Sequence, residues 1–362
     1  MTDESYIKLA IEIAKKGMGY VSPNPLVGCV IIKNERIIGA GFHEKFGQNH
    51  AEINAIESAI ESVEGSTLYV NLEPCNYQGK TPPCVDRIIE SKIKRVVVGT
   101  LDMNPLVSGR GIRKLKSAGI DVKVGILEQE CVYLNKFFFK HIITGFPYVT
   151  LKAAQTIDGK IADIHRESKW ISSSQSRKHV HELRTKYDAV LVGAGTVKKD
   201  DPNLTVRLVE GRNPYRIVMD TALSIRSSNK LFQNNGDKKL IFVTSTSNSE
   251  KKNKIKRLTK CGAQIVFVNE DGKNKLDLKT VLKELGKLHI SSILVEGGEE
   301  IFTSFIQKNL FDDIFLFISP KFLGAGLPVI GDIGIKSIRN AFKLKIANAE
   351  KIGDDLLVEL NK

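Results

Sequence analysis

The triplet His50-Ala51-Glu52 stands at the head of a predicted helix and is followed by Pro74-Cys75 and then by Cys84. One imidazole and two thiols are soft ligands suited to tetrahedral zinc. Three protein ligands leave a fourth position for water, which marks a catalytic rather than a structural site. Bound zinc lowers the pKa of that water to about 7. Glu52, two residues from the histidine, can move its proton without ligating the metal. Cys84 opens a second predicted helix, Val85-Asp86-Arg87-Ile88-Ile89, whose N-terminus favours a thiolate. Such a site demands a fold that brings positions 50, 75 and 84 to one point.

The patterning supplies such a fold. Thr2 and Asp3 precede a capped helix over 6–16, and 27–32 reads as a buried strand with 36–42 as its hairpin partner. A helix over 51–63, strands over 67–72 and 95–99, a helix over 111–118, a strand over 120–124 and a helix over 128–141 follow. This alternation predicts a three-layer α/β domain. The turn Thr144-Gly145-Phe146-Pro147 divides the chain into domains 1–145 and 146–362. The second domain is also α/β. Its strands are expected over 148–154, 189–193, 216–220, 240–244, 264–268, 293–296 and 314–319. Its helices are expected over 175–186, 251–258, 278–285 and 300–308.

With 362 residues, two domains are the natural expectation. No apolar run is long enough to span a bilayer, and the start lacks a signal-peptide pattern, so a cytoplasmic protein is expected. Five sparse cysteines suit free thiols and metal thiolates rather than a disulfide framework, and the apolar neighbours of Cys29, Cys131 and Cys261 suggest packing. Of 54 basic and 41 acidic side chains, 18 and 16 lie up to Gly145, so nearly all of the +13 net charge belongs to the second half. A basic half fits nucleic acid, a phosphorylated small molecule, or simply a lysine-rich surface.

The first half resembles the zinc nucleobase deaminases, whose signature is H-x-E followed by P-C-x-x-C. Here eight residues, 76–83, separate the cysteines. That enlarged spacing, with Ser22-Pro23-Asn24-Pro25-Leu26-Val27-Gly28, is similar to the deaminase domain of the bifunctional riboflavin biosynthesis deaminase/reductases. The resemblance implies a cytidine-deaminase-like domain with zinc on His50, Cys75 and Cys84, and Glu52 as proton carrier. It implies substrate contacts at Asn24, His43, Lys80 and Asn104. His43 reads equally as an ordinary satisfied side chain, and Lys80 would meet a phosphate as a point charge.

In the second half, glycines end predicted strands at Gly193-Ala194-Gly195 and Gly297-Gly298, where backbone can approach a nucleotide. The dinucleotide fingerprint is incomplete, because its third glycine position is Lys198. The order of these blocks resembles the reductase domain of the same family. A dihydrofolate-reductase-like fold and NADPH are thereby implied, with Ala154, Trp170, Thr196, Asp200 and Thr221 at the cofactor, together with Gly298, Glu299, Glu300, Ile301, Phe302, Thr303 and Ser304. Ser168, Arg184, Leu204, Arg207 and Glu296 would face substrate, the two arginines gripping its phosphate with planar forks. Trp170 reads equally as a core anchor. Lys152, Asp200 and Glu296 are the candidates for polarising or protonating the reacting carbon. The implied chemistry is deamination of 2,5-diamino-6-ribosylamino-4(3H)-pyrimidinone 5′-phosphate, then reduction of its ribosyl group to ribityl by NADPH. A homo-oligomer without nucleic-acid or membrane partners is expected. The rivals are an RNA (tRNA) deaminase with a basic binding domain, and a non-catalytic zinc module, against which the spare carboxylate of Glu52 argues.

Overall fold

The structure, a computed structural model, describes residues 2–78, 82–104 and 107–362. It divides into two compact units, Met1–Phe146 and Pro147–Lys362. The first runs α1 (Asp3–Ala14), β1 (Gly28–Lys33), β2 (Arg36–Phe42), α2 (Ala51–Glu57), β3 (Thr67–Leu72), α3 (Cys84–Glu90), β4 (Arg95–Thr100), α4 (Arg110–Ser117), β5 (Asp121–Val124), α5 (Glu128–Leu134) and α6 (Lys136–Thr144). One sheet of order β2-β1-β3-β4-β5 forms, antiparallel on either side of β1 and parallel from β3 to β5.

Strand periodicity builds two cores from the same strands. Cys29, Ile31, Leu68, Val70, Val96 and Val98 pack with α2, α3 and α4. Their neighbours Val30, Ile32, Tyr69 and Val97 pack with α1 and with Cys131 of α5. The unit is therefore three-layered. α1 lies so close to β1 that a Cβ on Gly28 would come within 2.1 Å of the Ala10 carbonyl oxygen.

The second unit runs β6 (Tyr148–Thr156), β7 (Lys160–Ala162), α7 (Ser174–Lys186), β8 (Ala189–Gly193), α8 (Ala194–Asp200), β9 (Tyr215–Met219), α9 (Lys230–Gln233), β10 (Leu240–Ser245), α10 (Lys252–Lys260), β11 (Ala263–Val268), α11 (Leu278–Lys287), β12 (Ser292–Val295), α12 (Glu299–Gln307), β13 (Asp313–Ser319), β14 (Leu327–Pro328), β15 (Lys345–Ile352) and β16 (Asp355–Asn361). Its main sheet has the order β11-β10-β9-β8-β12-β6-β13-β16-β15. The strands are parallel as far as β13, and the β15–β16 hairpin adds an antiparallel edge. Ligands of such sheets bind outside the carboxyl ends of the parallel strands.

Several expected elements differ. α2 stops at Glu57 rather than continuing to 63, because the Ser58 hydroxyl donates to the Ala40 carbonyl and accepts the Ala40 N–H, turning the chain onto β2. The helix expected over 128–141 breaks at Asn135, whose buried amide is spent on both backbone groups of Leu26. Cys29 and Cys131 are buried, whereas Cys261 ends α10 and is exposed, so it is not a packing thiol. Among the described residues no helix is long and apolar enough to cross a membrane.

Candidate functional site

His50 is the N-cap residue of α2, Cys84 is the first residue of α3, and Cys75 follows the C-terminal end of β3. These three elements bring one nitrogen and two sulfurs within 4.8 Å of one another. His50 Nδ1 lies 3.2 Å from Cys84 Sγ and 3.5 Å from Cys75 Sγ, and the Cys84 N–H donates to Cys75 Sγ at 3.4 Å. Hydrogen bonding from Cys84 comes first among the causes, ahead of the His50 ring, that hold the Cys75 thiol far below its usual range, at about 4. The pairing with Cys75, then burial, pushes the Cys84 thiol up. A site this close-knit, rich in soft donors and already favouring a thiolate at Cys75, fits zinc.

Glu52, only 3% exposed, lies in the first turn of α2 beside Cys84. Burial raises its carboxyl to about 7. His43 is buried, and its Nδ1 meets the Asn49 carbonyl at 2.9 Å. A carbonyl only accepts, so Nδ1 carries the proton, and Nε2 accepts from Asn24 Nδ2 at 3.1 Å. The His43 and His50 rings meet edge to face at 5.4 Å. Burial lowers the His43 pKa, consistent with a neutral ring. Asn104 sits in the loop after β4, its N–H bonded to Asp102 Oδ1 at 2.8 Å. Lys80 lies outside the described residues.

In the second unit a cleft of about 1700 Å³ opens at the carboxyl ends of β6, β8, β9 and β12. Lys152, Ala154, Ser168, Trp170, Thr196 and Asp200 line it. So do Arg184, Arg207, Thr221 and Glu296, and, at the head of α12, Gly298, Glu299, Glu300, Ile301 and Ser304. Three expected side chains do not reach it. Leu204 and Phe302 are buried in the core, and the Thr303 hydroxyl donates to the Glu299 carbonyl and accepts the Gly331 N–H. Helical geometry explains α12, since the turn that aims Ile301 and Ser304 at the cleft sends Phe302 the other way. Trp170 is 64% exposed and so is not a core anchor; the Arg177 guanidinium stacks 4.4 Å from its ring. Within each glycine pair the two members differ, the first lying against Ile301 and the second in open space. A Cβ on Gly297 would strike Ile301 at 2.7 Å, so that glycine serves packing, whereas Gly195 and Gly298 have open space around them.

The charged centre of the cleft is tightly wired. Arg184 donates through Nε and Nη2 to both oxygens of Glu296, at 2.7 and 2.9 Å, and through Nη1 to the Thr205 carbonyl. The fork expected to grip a phosphate is thus closed on a carboxylate. Burial opposes charge on Glu296, but Arg184 overrides it and holds the carboxyl below its usual range. Lys152, 5.6 Å from the Phe317 ring, has its pKa lowered by burial. His181, one turn before Arg184 on α7, accepts the Arg207 N–H at Nδ1 at 2.9 Å.

Three further residues near the sites belong to no motif in the sequence. Glu73, buried just before Pro74-Cys75, accepts backbone N–H groups. Asn76 Oδ1 is buried with no partner among the described residues. His181 carried no motif, only its three-residue spacing from Arg184.

Residues 1–100 match the family model of the cytidine and deoxycytidylate deaminase zinc-binding region, and residues 147–358 match that of the RibD C-terminal domain. The chain is 48% identical, over 98% of its length and 97% of the relative's, to riboflavin biosynthesis protein RibD of Aquifex aeolicus (strain VF5). Among solved structures it is similar to a diaminohydroxyphosphoribosylaminopyrimidine deaminase/5-amino-6-(5-phosphoribosylamino)uracil reductase from Thermotoga maritima, with a TM-score of 0.87 and 42% identity over 99% of this chain and 98% of that one. RibD of Acinetobacter baumannii matches with a TM-score of 0.89 and 34% identity over the same shares.

Proposed function

The chain belongs to the RibD family of bifunctional riboflavin biosynthesis enzymes, and from that premise we propose that its two units act in turn on one phosphorylated pyrimidine, with the residues assigned below. The enzyme is a zinc-dependent deaminase, with a cytidine-deaminase-like domain, and an NADPH-dependent reductase, with a dihydrofolate-reductase-like domain. The rival RNA deaminase is set aside, because the basic half that suggested it matches the RibD C-terminal domain.

The substrate of the first step is 2,5-diamino-6-ribosylamino-4(3H)-pyrimidinone 5′-phosphate. His50, Cys75 and Cys84 hold the zinc. Zinc, when bound, supplies a Lewis acid that makes water a nucleophile near neutral pH. Glu52 takes the proton from the attacking water and hands it to the departing amine, which leaves as ammonia. Asn24, His43 and Asn104 orient the ring, with His43 fixed as a neutral donor–acceptor link between Asn49 and Asn24. Lys80 meets the phosphate. The reading is carried by the convergence of three soft donor atoms beside a buried carboxylate that needs no metal bond.

In the second unit the strand-end cleft takes NADPH and the deaminated product. NADPH, when bound there, would supply the hydride for the anomeric carbon of the opened ribosyl group. Lys152 is the best placed proton carrier, buried within reach of the charges of Glu296 and Arg184. Glu296 serves chiefly to fix Arg184, and Asp200 lines the cofactor side. Arg207 and the N–H groups of Arg184 left free by Glu296 and Thr205 bind the phosphate. Strand β15 pairs with β16 on one side only among the described residues, and its open outer edge, with Ile346 71% exposed, supports assembly as a homo-oligomer. Five free thiols support a reducing, cytoplasmic setting.

The test follows ammonia release and NADPH oxidation separately on purified protein given the diaminopyrimidinone ribosylamine phosphate. Both are expected, and Glu52→Gln should lose ammonia release by roughly 10²–10⁴-fold while still oxidising NADPH on the deaminated compound. Ammonia without oxidation removes the reductase half. Unchanged ammonia release in Glu52→Gln removes the role of that residue.

A further inference from the structure

Glu73 follows β3 and precedes Pro74 and Cys75. It is 4% exposed, and its carboxylate is covered by backbone. Oε2 accepts the N–H of Asp102 at 3.3 Å and of Gly109 at 2.9 Å. Oε1 accepts the N–H of Gly111 at 3.0 Å and of Ile112 at 3.3 Å. Gly109 is the N-cap residue of α4 and has no side chain with which to cap it. The carboxylate from β3 therefore does that work from a distant point in the sequence.

The same contact continues toward Asn104. Asp102, held by Glu73, accepts the Asn104 N–H at 2.8 Å, and the Asn104 carbonyl accepts the N–H groups of Val107 and Ser108 at 2.9 and 3.0 Å. On the other side the fit leaves no slack, since a Cβ on Gly111 would come within 2.4 Å of the Pro74 carbonyl oxygen. One buried carboxylate thus ties the end of the strand that delivers Cys75 to both ends of the loop that carries Asn104.

We propose that Glu73 is a positioning residue of the deaminase: acting through Asp102, it fixes Asn104 in register with the Cys75 end of β3, and so sets how tightly substrate is held. This rests on the reading of His50, Cys75 and Cys84 as the zinc site and of Asn104 as a substrate contact. Glu73 itself touches neither zinc nor substrate.

The experiment uses the full chain with zinc bound. Glu73→Ala and Glu73→Gln are compared with the natural chain for zinc per chain, for KM and kcat of ammonia release, and for NADPH oxidation on the deaminated compound. Zinc content and NADPH oxidation should stay at the natural level. KM for ammonia release should rise, on the order of tenfold in Glu73→Ala, as expected for lost ground-state positioning. Glu73→Gln should fall between, because its single carbonyl oxygen can still accept from one pair of N–H groups. kcat per bound zinc should move less than KM. An unmoved KM, with kcat falling only in step with zinc content or folded fraction, would make Glu73 a cap and nothing more. If Glu73→Ala does not fold, the KM of Glu73→Gln decides alone. A natural chain that releases no ammonia overturns the site reading and this inference together; an active natural chain with unmoved KM in the variants overturns this inference only.

Discussion

His181 shows how a neighbourhood decides the state of one side chain. Burial comes first, then the positive charges of Arg184, Arg207 and Lys152, against which Glu296 is a partial counterweight, and together they push its pKa down to about 4. Its Nδ1 is also engaged as an acceptor. An unfolded histidine titrates near 6.5. Between about 4 and 6.5 the unfolded chain therefore binds a proton that the folded one refuses, so this contribution to stability is whole above that window and is lost as pH falls through it. His181→Asn keeps an acceptor for the Arg207 N–H and removes the titration. Urea midpoints measured between pH 7 and pH 5 should decline less steeply in that variant, and an unchanged slope would mean the ring is not held neutral. At this scale the sequence was legible where donor type and spacing mark a cluster, as for His50, Cys75 and Cys84, which the fold brings within 4.8 Å of one another. It was silent on Glu73 and His181, whose partners are backbone groups dozens of residues away or charges assembled only by folding. Nor could it show how Arg184 is held, because the salt bridge that engages its fork comes from Glu296 on another element.

Elements were legible where burial repeats with a regular period. β2, β3 and β8 begin and end where their patterns do, since each is fixed by apolar positions and turn residues. The tail was not legible: β15 is exposed along nearly its whole length, so Lys345–Ile352 shows no alternation to betray a strand. α8 was hidden for the opposite reason, because Gly193-Ala194-Gly195 looks like a turn, yet the helix starts at Ala194. Side-chain bonds to distant backbone, at Ser58 and Asn135, cut two helices that periodicity alone would continue. The packing of α1 on β1 gives a test. Gly28→Ala would drive a methyl group into the backbone of α1 at Ala10 and Ala14. The first unit should lose about 1–3 kcal/mol, read as a lower urea midpoint of its unfolding. An unaltered midpoint would show that α1 does not sit this close.

On the scale of the whole molecule, two α/β units each present a site at one end of a sheet, and each site is built from strand ends and the helices that follow them. The charge divides with them. The nearly neutral first unit relies on buried, specific polar groups around a metal site, while the basic second unit surrounds a wide cleft suited to an anionic dinucleotide and a phosphorylated sugar. Full-length resemblance to RibD proteins joins the two chemistries in one chain, and the domain order was readable because both sets of motifs survive in sequence. Everything in the first unit depends on the imidazole at 50 and the sulfurs at 75 and 84 sharing one zinc. Zinc-edge X-ray absorption on the purified full chain addresses this directly. The expected result is one zinc per chain with two sulfurs at about 2.3 Å and light-atom neighbours at about 2.0–2.1 Å, one sulfur disappearing in Cys75→Ser. Zinc bound without sulfur, or a spectrum indifferent to that substitution, would contradict it.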